Sequence, residues 1–286
     1  MKNLIKKMLR LLSDELYIQL QYFYHFHRFA NLKHPQTFND KLQWLKLHDR
    51  NPLYTTLVDK YAVKKWVAAQ IGEQYIIPTL GVWEKAEDIN FDALPNQFVL
   101  KCNHSGGGNV IICRDKAQLD KQETIKKLAH QLQNNSYWYG REWPYKNVKP
   151  CIIAEKFMED SPQEGLSDFK LMCFNGKVKC SFTCTERFSK NGLKVTFYDP
   201  NWQVMPFERH YPRSKTPLAK PLNYDEMVAL AGKLSKGIPF VRVDFYSVQG
   251  KTYFGELTFY PGSGLEEFTP PQWDKTFGDC LILPKE

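Results

Sequence analysis

The chain has 286 residues, 43% of them hydrophobic, which is enough to bury a substantial core in one large domain or in two to three lobes. Its 39 lysines and arginines outnumber 31 aspartates and glutamates, and the net charge of +8 favours an anionic ligand or partner. The basic residues are scattered rather than gathered in a stripe, so we expect no nucleic-acid partner. Because no apolar run approaches about 18 residues, we expect no membrane-spanning helix.

The seven cysteines contain no Cys-x-x-Cys pair and no spacing typical of zinc ligands. Because several lie in apolar, strand-like runs, we expect buried reduced thiols and a cytoplasmic protein. Residues 1–12 carry four basic side chains and apolar residues at helical spacing, without the long apolar stretch of a signal peptide. A helix of this kind either packs on its own domain or makes a weak peripheral contact with the anionic inner face of a membrane.

The predicted elements are mainly helical before residue 70 and mainly extended after it. Thr37 or Asn39 is expected to cap one helix, and Asp59-Lys60 to begin another that ends near Ile71. Asn175-Gly176 is the strongest short hairpin signal in the chain. Strands are predicted at 98–101, 110–113, 152–157, 168–174 and 177–185, and further helices at 120–134 and 223–236.

A glycine-rich loop follows the strand at 98–101 and is a candidate ligand site, with the sequence His104-Ser105-Gly106-Gly107-Gly108. Three consecutive glycines let the backbone close over a ligand and direct its N–H groups at phosphate oxygens. Lys101, just upstream, adds a positive charge suited to the same phosphates. A strand follows the loop, which argues against a Walker loop or a dinucleotide-binding turn, because both open a helix. By itself the pattern fits a flexible hairpin loop equally well.

Residues 240–262 are predicted to form a β-hairpin with two carboxylates on one face and apolar side chains on the other. A three-residue turn at Gln249-Gly250-Lys251 places Asp244 directly opposite Glu256. A two-residue turn would move Glu256 to the apolar face, so the pattern favours the longer turn. Opposed like charges are destabilising, and Mg²⁺ is the hard cation that such oxygen ligands suit. The alternative is a solvated face on which Arg242 neutralises both acids.

These motifs, in this order, resemble the ATP-grasp superfamily and, more closely, its TupA-like family of the teichuronopeptide-biosynthesis type. The resemblance covers about residues 35 to 283. It implies an α+β, ATP-grasp fold in which two lobes with antiparallel sheets clasp ATP, with a helical N-terminal region at 1–95, a small lobe at 96–150 and a large lobe at 151–286. The segments that carry it are Phe98–Gly108, Arg141–Lys146, Asp168–Lys170, Cys173–Gly176, Phe197–Asp199, Arg242–Phe245 and Gly255–Gly264.

The resemblance also implies a role for individual residues. Lys170 would lie beside the nucleotide, and Arg242 would stabilise the transferring phosphoryl group with its guanidinium fork. Thr258 stands where many superfamily members carry a metal-binding asparagine, which leaves the third metal ligand open. Mg²⁺, expected as two ions, would be held by Asp244, Glu256 and Thr258. ATP would be bound by Lys60, Lys101, Ser105, Gly106, Gly107, Gly108, Glu155, Lys156 and Phe157.

The function that the resemblance implies is ATP-dependent carboxylate–amine ligation. The carboxylate of a small molecule or glycan would attack the γ-phosphate of ATP, and an amine would then displace phosphate from the acylphosphate to give an amide. The family context points to cell-surface polysaccharide, capsule or lipopolysaccharide assembly, with a uronic acid as the candidate carboxylate. The aromatic and basic region Phe182–Pro221 is either the place where such an acid binds or a solvated segment.

Two other functions stay open at this point. A glycosyltransferase of surface polysaccharide assembly would also need paired acids, for the diphosphate of a nucleotide sugar. This chain has no Asp-x-Asp motif and no early alternation of strands and helices, which weakens that reading. A nucleotide-binding assembly factor without catalytic activity is the other alternative.

Overall fold

The computed structural model describes residues 9–104, 110–159, 166–186 and 192–285. The helices in these ranges are Asp14–Phe26 (α1), Phe38–His48 (α2), Leu53–Val58 (α3), Ala62–Ile71 (α4), Lys121–Leu132 (α5), Tyr137–Gly140 (α6), Tyr224–Leu234 (α7) and Gln272–Cys280 (α8). The strands are Thr79–Trp83 (β1), Phe98–Cys102 (β2), Ile111–Cys113 (β3), Ile152–Lys156 (β4), Ser167–Phe174 (β5), Lys177–Thr185 (β6), Lys194–Tyr198 (β7), Glu208–Arg209 (β8), Phe240–Val248 (β9), Lys251–Thr258 (β10) and Phe268–Thr269 (β11). Among the helices described, none has the length and apolar character needed to cross a bilayer.

Two antiparallel sheets form the frame of the fold. One has the strand order β1-β4-β2-β3 and the other β10-β9-β5-β6-β7, while β8 and β11 pair separately. Every strand pairing in the described chain is antiparallel, which confirms the predicted α+β class with antiparallel sheets. The larger hydrophobic core lies on the five-stranded sheet, and a smaller one lies between the four-stranded sheet and α5.

The four-stranded sheet takes strands from outside the range predicted for the small lobe. β4 lies between β1 and β2, and Ala154 pairs with Gly81 on one side and with Leu100 on the other. A central strand must be apolar on both faces, and Ile152, Ile153 and Ala154 are fully buried. The predicted boundaries at 95/96 and 150/151 therefore separate strands that belong to one sheet.

Local signals placed several helices and turns correctly. Thr37 caps α2 by accepting a hydrogen bond from the Asp40 amide at 3.2 Å, and Gly72 follows the last residue of α4 with a positive φ of 116°. Asp59 accepts hydrogen bonds from the first amides of the α4 region. Asn175 and Gly176 both have positive φ and join β5 to β6 in a two-residue turn, as predicted.

The hairpin of β9 and β10 has the predicted partners but not the predicted turn. Asp244 lies opposite Glu256, as expected from the sequence. The turn has two residues, Gln249 and Gly250, with φ of 51° and 74°, so the prediction of a three-residue turn was wrong. Both positive φ values are those that a tight hairpin turn requires.

A β-bulge at Gly255 makes the short turn compatible with the predicted pairing. The register shifts between Phe254, which lies opposite Phe245, and Glu256, which lies opposite Asp244. One extra residue in β10 therefore returns Glu256 to the polar face. A Cβ atom at Gly255 would lie 3.0 Å from the Asp244 carbonyl oxygen, closer than a Cβ atom usually approaches its neighbours.

We expect the substitution Gly255→Ala to lower the free energy of unfolding by about 1–3 kcal/mol, because the added methyl group overpacks the bulge. The measurement is urea-induced unfolding followed by fluorescence. The matched control is Gly232→Ala in α7, where a Cβ would make an ordinary 3.7 Å contact. Since alanine favours the helix, the control should raise stability by about 0.5–1 kcal/mol. Equal effects of the two substitutions would contradict the role given to the bulge.

Candidate active site

One face of the five-stranded sheet carries a cluster of charged side chains, while the opposite face covers the core. Leu171, Val243 and Leu257 are buried in the core. Because side chains alternate along a strand, their neighbours point the other way. The cluster consists of Lys170 from β5, Arg242 and Asp244 from β9, and Glu256 and Thr258 from β10.

Arg242 holds both carboxylates of the cluster. Its Nε donates to Asp244 Oδ1 at 2.7 Å and its Nη2 to Asp244 Oδ2 at 2.7 Å, while Nη2 also reaches Glu256 Oε1 at 3.1 Å. Burial by itself would lower the pKa of Arg242, but Asp244 and Glu256 outweigh it and raise the pKa. The guanidinium therefore stays charged, with the fixed fork geometry that binds carboxylate or phosphate oxygens.

Two lysines complete the neutralisation. Lys170 Nζ lies 2.7 Å from Asp244 Oδ2 and 2.7 Å from Asp168 Oδ2. Lys60, which precedes α4, pairs with Glu256 from the other side. Burial acts to raise the pKa of Glu256, but Lys60, Arg242 and Lys170 lower it to well below its ordinary value. Asp244 and Glu256 thus form ion pairs with cations from three separate parts of the chain.

A second buried group of charges lies on the four-stranded sheet. Glu155 on β4 is 5% exposed, and its two carboxylate oxygens each lie 2.6 Å from a lysine, Lys64 on α4 and Lys101 on β2. Burial acts to raise the pKa of Glu155, but the two lysines outweigh it and lower the pKa. Sequence analysis missed Lys64, because a Lys64-Lys65 pair in a helix is normally a solvated surface.

The predicted hinge for adenine lies at the end of β4. Lys156 is exposed, and Phe157 follows it with its ring 5.1 Å from the Arg114 guanidinium. The carboxylate of Glu155 forms ion pairs with two lysines and is therefore not a free carboxylate at the end of β4. The predicted nucleotide-binding loop of Ser105, Gly106, Gly107 and Gly108 lies outside the described residues.

The region Phe182–Pro221 is a candidate site for an acidic substrate. One of its arginines, Arg209, instead packs inside the protein. Arg209 is 3% exposed and lies over the rings of Phe38 and Phe268, each at 5.4 Å. It donates to the Pro261 carbonyl at 2.9 Å and pairs with Glu266 at 3.3 Å. A side chain packed in this way cannot meet a ligand from solvent.

The family model for TupA-like ATP-grasp proteins matches residues 40–282. The chain belongs to this family. The match spans the charged cluster, the Lys64–Glu155–Lys101 group and all the strands described above, and it confirms the resemblance seen in the sequence. No curated protein matches the chain.

Among solved structures, this TupA-like ATP-grasp protein is similar to D-alanine–D-alanine ligase from Bacillus anthracis, with 20% identity over 72% of this chain and 57% of that one and a TM-score of 0.40. The Helicobacter pylori D-alanine–D-alanine ligase is 18% identical over 80% of this chain and 61% of that one, with a TM-score of 0.43. D-cycloserine synthetase DcsG is 14% identical over 72% and 63%, with a TM-score of 0.42. The chain thus spans less than two thirds of the length of each of these structures.

The hairpin of this family member offers oxygen donors that suit a hard cation. Asp244 and Glu256 lie side by side, and Thr258 Oγ1 is 3.5 Å from Glu256 Oε1. In the residues described, no group of three or more histidine, cysteine or acidic side chains could hold a metal. Two carboxylates and a hydroxyl fit Mg²⁺, which takes only one or two carboxylates when phosphate oxygens complete its coordination.

We expect the substitution Glu155→Gln to lower the free energy of unfolding by about 3–5 kcal/mol at neutral pH, because it leaves two buried lysines without their counterion. Since folding lowers the pKa of Glu155, the ionised carboxylate favours the folded state above its ordinary pKa of 4.5, and this contribution disappears as the pH falls below that value. Urea unfolding of both proteins between pH 7 and pH 3 measures the difference, which should shrink with falling pH.

The matched control is Glu123→Gln, which removes an exposed carboxylate 3.6 Å from Lys127 within α5. An exposed ion pair contributes little, so stability should change by less than about 1 kcal/mol. A difference between wild type and Glu155→Gln that stayed constant with pH would contradict the assignment.

Proposed function

We propose that this protein is an ATP-dependent ligase that joins a carboxylate to an amine. The observation that carries the proposal is the convergence of Arg242, Lys170 and Lys60 on the carboxylates of Asp244 and Glu256, within a chain of the TupA-like ATP-grasp family. Phosphoryl transfer needs positioning and charge neutralisation more than covalent help from the protein. A cluster of three cations beside two metal-binding acids supplies both.

Asp244, Glu256 and Thr258 would hold Mg²⁺, which we expect as two ions. When bound, the metal neutralises phosphate charge and orients the oxygens of the transferring group. Lys60, Lys170 and Arg242 balance these carboxylates. The same cations would neutralise the phosphate oxygens of a nucleotide bound here.

The nucleotide would lie between the two sheets. Lys60 and Lys101 would contact its phosphates, and Lys156 and Phe157 at the end of β4 would face the adenine. The glycine loop 105–108 would cover the triphosphate and keep water from the acylphosphate. Arg242 would stabilise negative charge on the transferring phosphoryl group, because its fork already fits a pair of oxygens in this position.

The carboxylate substrate that we propose is a uronic acid or a similar acidic sugar of cell-surface polysaccharide. One feature supports an acidic substrate, the net charge of +8. An acidic sugar and ATP are both anionic, and a protein of net positive charge raises the local concentration of both. The amine is the second substrate and would displace phosphate to give the amide.

We expect purified protein with Mg²⁺ to form ADP and phosphate from ATP, without AMP, when glucuronate or galacturonate is offered with an amine such as glycine or ethanolamine. The readouts are ADP formation and the mass of the amide. Turnover of a nucleotide sugar with no use of ATP would overturn the proposal in favour of a glycosyltransferase. Nucleotide binding without turnover of any pair would favour an assembly factor.

The substitution Glu256→Gln tests the metal assignment within the same assay. It removes one ligand charge at nearly constant volume, so we expect ADP formation to fall at least about 100-fold while the fold is kept. Glu123→Gln on the surface of α5 is the control and should keep the wild-type rate. Full activity of Glu256→Gln would show that this carboxylate does not bind the metal.

We also propose a cytoplasmic location with a weak peripheral contact between residues 1–12 and an anionic membrane. Residues 1–8 lie outside the described part, but α1 exposes Leu16, Leu20 and Phe23 along one side. The positive charge of the proposed contact comes from Lys2, Lys6, Lys7 and Arg10, and a basic amphipathic segment suits the interface of an anionic bilayer.

The protein should cosediment with vesicles that contain phosphatidylglycerol and not with vesicles of phosphatidylcholine alone. Since the attraction is electrostatic, the double substitution Lys6→Glu and Lys7→Glu should abolish cosedimentation, as should high salt. Equal binding to both kinds of vesicle, or to neither, would count against the contact.

A further inference from the structure

The segment Arg141–Lys146 is part of the family resemblance, yet the charged cluster described above uses none of its residues. Arg141 is 2% exposed and packs against the rings of Tyr17 and Trp138 at 4.5 and 4.7 Å. Its Nη2 donates to the carbonyls of Leu9 and Leu12. Arg141 therefore fastens the N-terminal segment and fixes the backbone from which the next side chain, Glu142, extends.

Glu142 lies next to Ser263, which accepts hydrogen bonds from a buried lysine. Lys46 on α2 is 1% exposed, and its ammonium donates to Gln43 Oε1 at 2.9 Å, to the Ser263 carbonyl at 2.7 Å and to Ser263 Oγ at 3.0 Å. All three N–H bonds of Lys46 are thus used inside the protein. Burial lowers the pKa of Lys46 to about 8. Lys46 is therefore a support for Ser263 rather than a group that meets a ligand.

The backbone of Ser263 is left-handed, with a φ of 55°, and lies between Gly262 and Gly264, whose φ values are also positive. A non-glycine residue in this region carries strain that the surroundings must compensate. The compensation comes from Lys46 and from Gln43, whose amide nitrogen donates to the carbonyls of Ser263 and Gly264. Three of these hydrogen bonds hold the Ser263 and Gly264 carbonyls, and one, from Lys46, holds the Ser263 hydroxyl.

That hydroxyl group is in contact with Glu142. Both side chains border the space beside Gly140, and the Ser263 side chain acts to lower the pKa of Glu142. A Cβ atom at Gly140 would lie 2.1 Å from Ser263 Oγ and 3.2 Å from Glu142 Oε1. Glu142 itself is only partly buried, and Lys46 is the cation that acts on its charge. A positioned carboxylate that keeps some exposure can still accept a cation from outside.

The carboxylate belongs to the same neighbourhood as the charged cluster. The segment 261–264 follows directly on β10, and α3 packs against both β10 and the turn Trp143–Tyr145. Tyr145 links the two groups electrostatically: burial raises its pKa well above the ordinary value, and both Glu142 and Glu256 add to the shift. Glu142 therefore lies within electrostatic reach of the charged cluster, with Tyr145 sensing the charge of both.

We propose that Glu142 binds the amine substrate as its ammonium ion and takes the proton that the amine must lose before it attacks. This inference rests on the proposed ligase function and names a subsite within it. The substrate class is a primary amine, because a carboxylate beside a hydroxyl recognises an ammonium group by charge and hydrogen bonding. Ser263 is a positioning residue that orients the carboxylate.

The proposed step is balanced in protons and electrons. Glu142 removes one proton from the ammonium ion, and the freed lone pair forms the C–N bond with the acyl carbon. The bond from that carbon to the phosphate oxygen breaks, and phosphate leaves with the electron pair and accepts the second proton of the nitrogen. The products are the amide, phosphate and a protonated Glu142, which loses its proton to solvent.

The charges around Glu142 suit a base. Burial raises the pKa of Glu142, whereas Lys46 and the hydrogen bond with Ser263 act to lower it. Tyr145 and Tyr260 are the other titratable groups that sense its charge. A raised pKa makes a carboxylate a stronger base and brings it closer to the pKa of the amine.

The experiment separates the two half-reactions. Wild type, Glu142→Gln and the control Glu123→Gln are given ATP, Mg²⁺ and glucuronate or galacturonate, with either hydroxylamine or a panel of glycine, L-lysine and ethanolamine. Hydroxylamine is largely uncharged at neutral pH and traps the acylphosphate without a base. We expect Glu142→Gln to keep hydroxamate formation within about twofold and to lose amide formation by about 100-fold or more. The loss should diminish as the pH rises, because the free amine becomes abundant.

Ser263→Ala should show the same pattern with a smaller loss, since it misplaces the carboxylate without removing it. If Glu142→Gln slows both half-reactions equally, its role is structural and the inference is overturned. If it slows neither, the amine binds elsewhere and the inference is also overturned. If wild type yields neither hydroxamate nor amide with these acids while Glu123→Gln behaves alike, the proposed ligase function fails and the subsite fails with it.

Discussion

The site depends on one electrostatic constraint, which is that Asp244 and Glu256 must lie side by side and stay ionised. Opposed carboxylates repel each other, and burial makes the repulsion more costly. Cations from separate parts of the chain balance the charge of the two carboxylates. They are Arg242 beside the acids, Lys170 on the neighbouring strand β5 and Lys60 before α4. Each cation ties another element to the hairpin. The same ion pairs that balance the two acids therefore also connect β5, β9, β10 and the segment before α4.

The two faces of the five-stranded sheet differ, one apolar and one charged, because side chains alternate along each strand. Apolar residues point into the core, and every alternate position is left for the charged cluster. The bulge at Gly255 is what keeps this division intact along β10, because a regular hairpin with the observed two-residue turn would bury Glu256 among phenylalanines. A local irregularity in the backbone therefore decides on which face of the sheet the Glu256 carboxylate lies.

The buried charges serve two different purposes. Glu155 is enclosed by Lys64 and Lys101, and its pairing holds helix and sheet together near the end of β4. Around Ser263, by contrast, the buried ammonium of Lys46 donates its hydrogen bonds to Gln43 and to the strained Ser263. Strain that the surroundings support in this way is typical of functional sites. The Glu155 group lies on the four-stranded sheet, whereas Ser263 lies in the turn that follows β10.

The sequence by itself determined the residue types and the local elements. Alternation and turn residues predicted the hairpins and the pairing of Asp244 with Glu256, and the order of the motifs identified the family. Only the tertiary structure decided the bulge at Gly255, the place of β4 at the centre of a sheet, and the burial of Lys64 and Arg209. The reason is physical: periodicity reports contacts between near neighbours in sequence, whereas an ion pair across the fold leaves no periodic signal. A buried lysine therefore looks like any surface lysine until its partner is known.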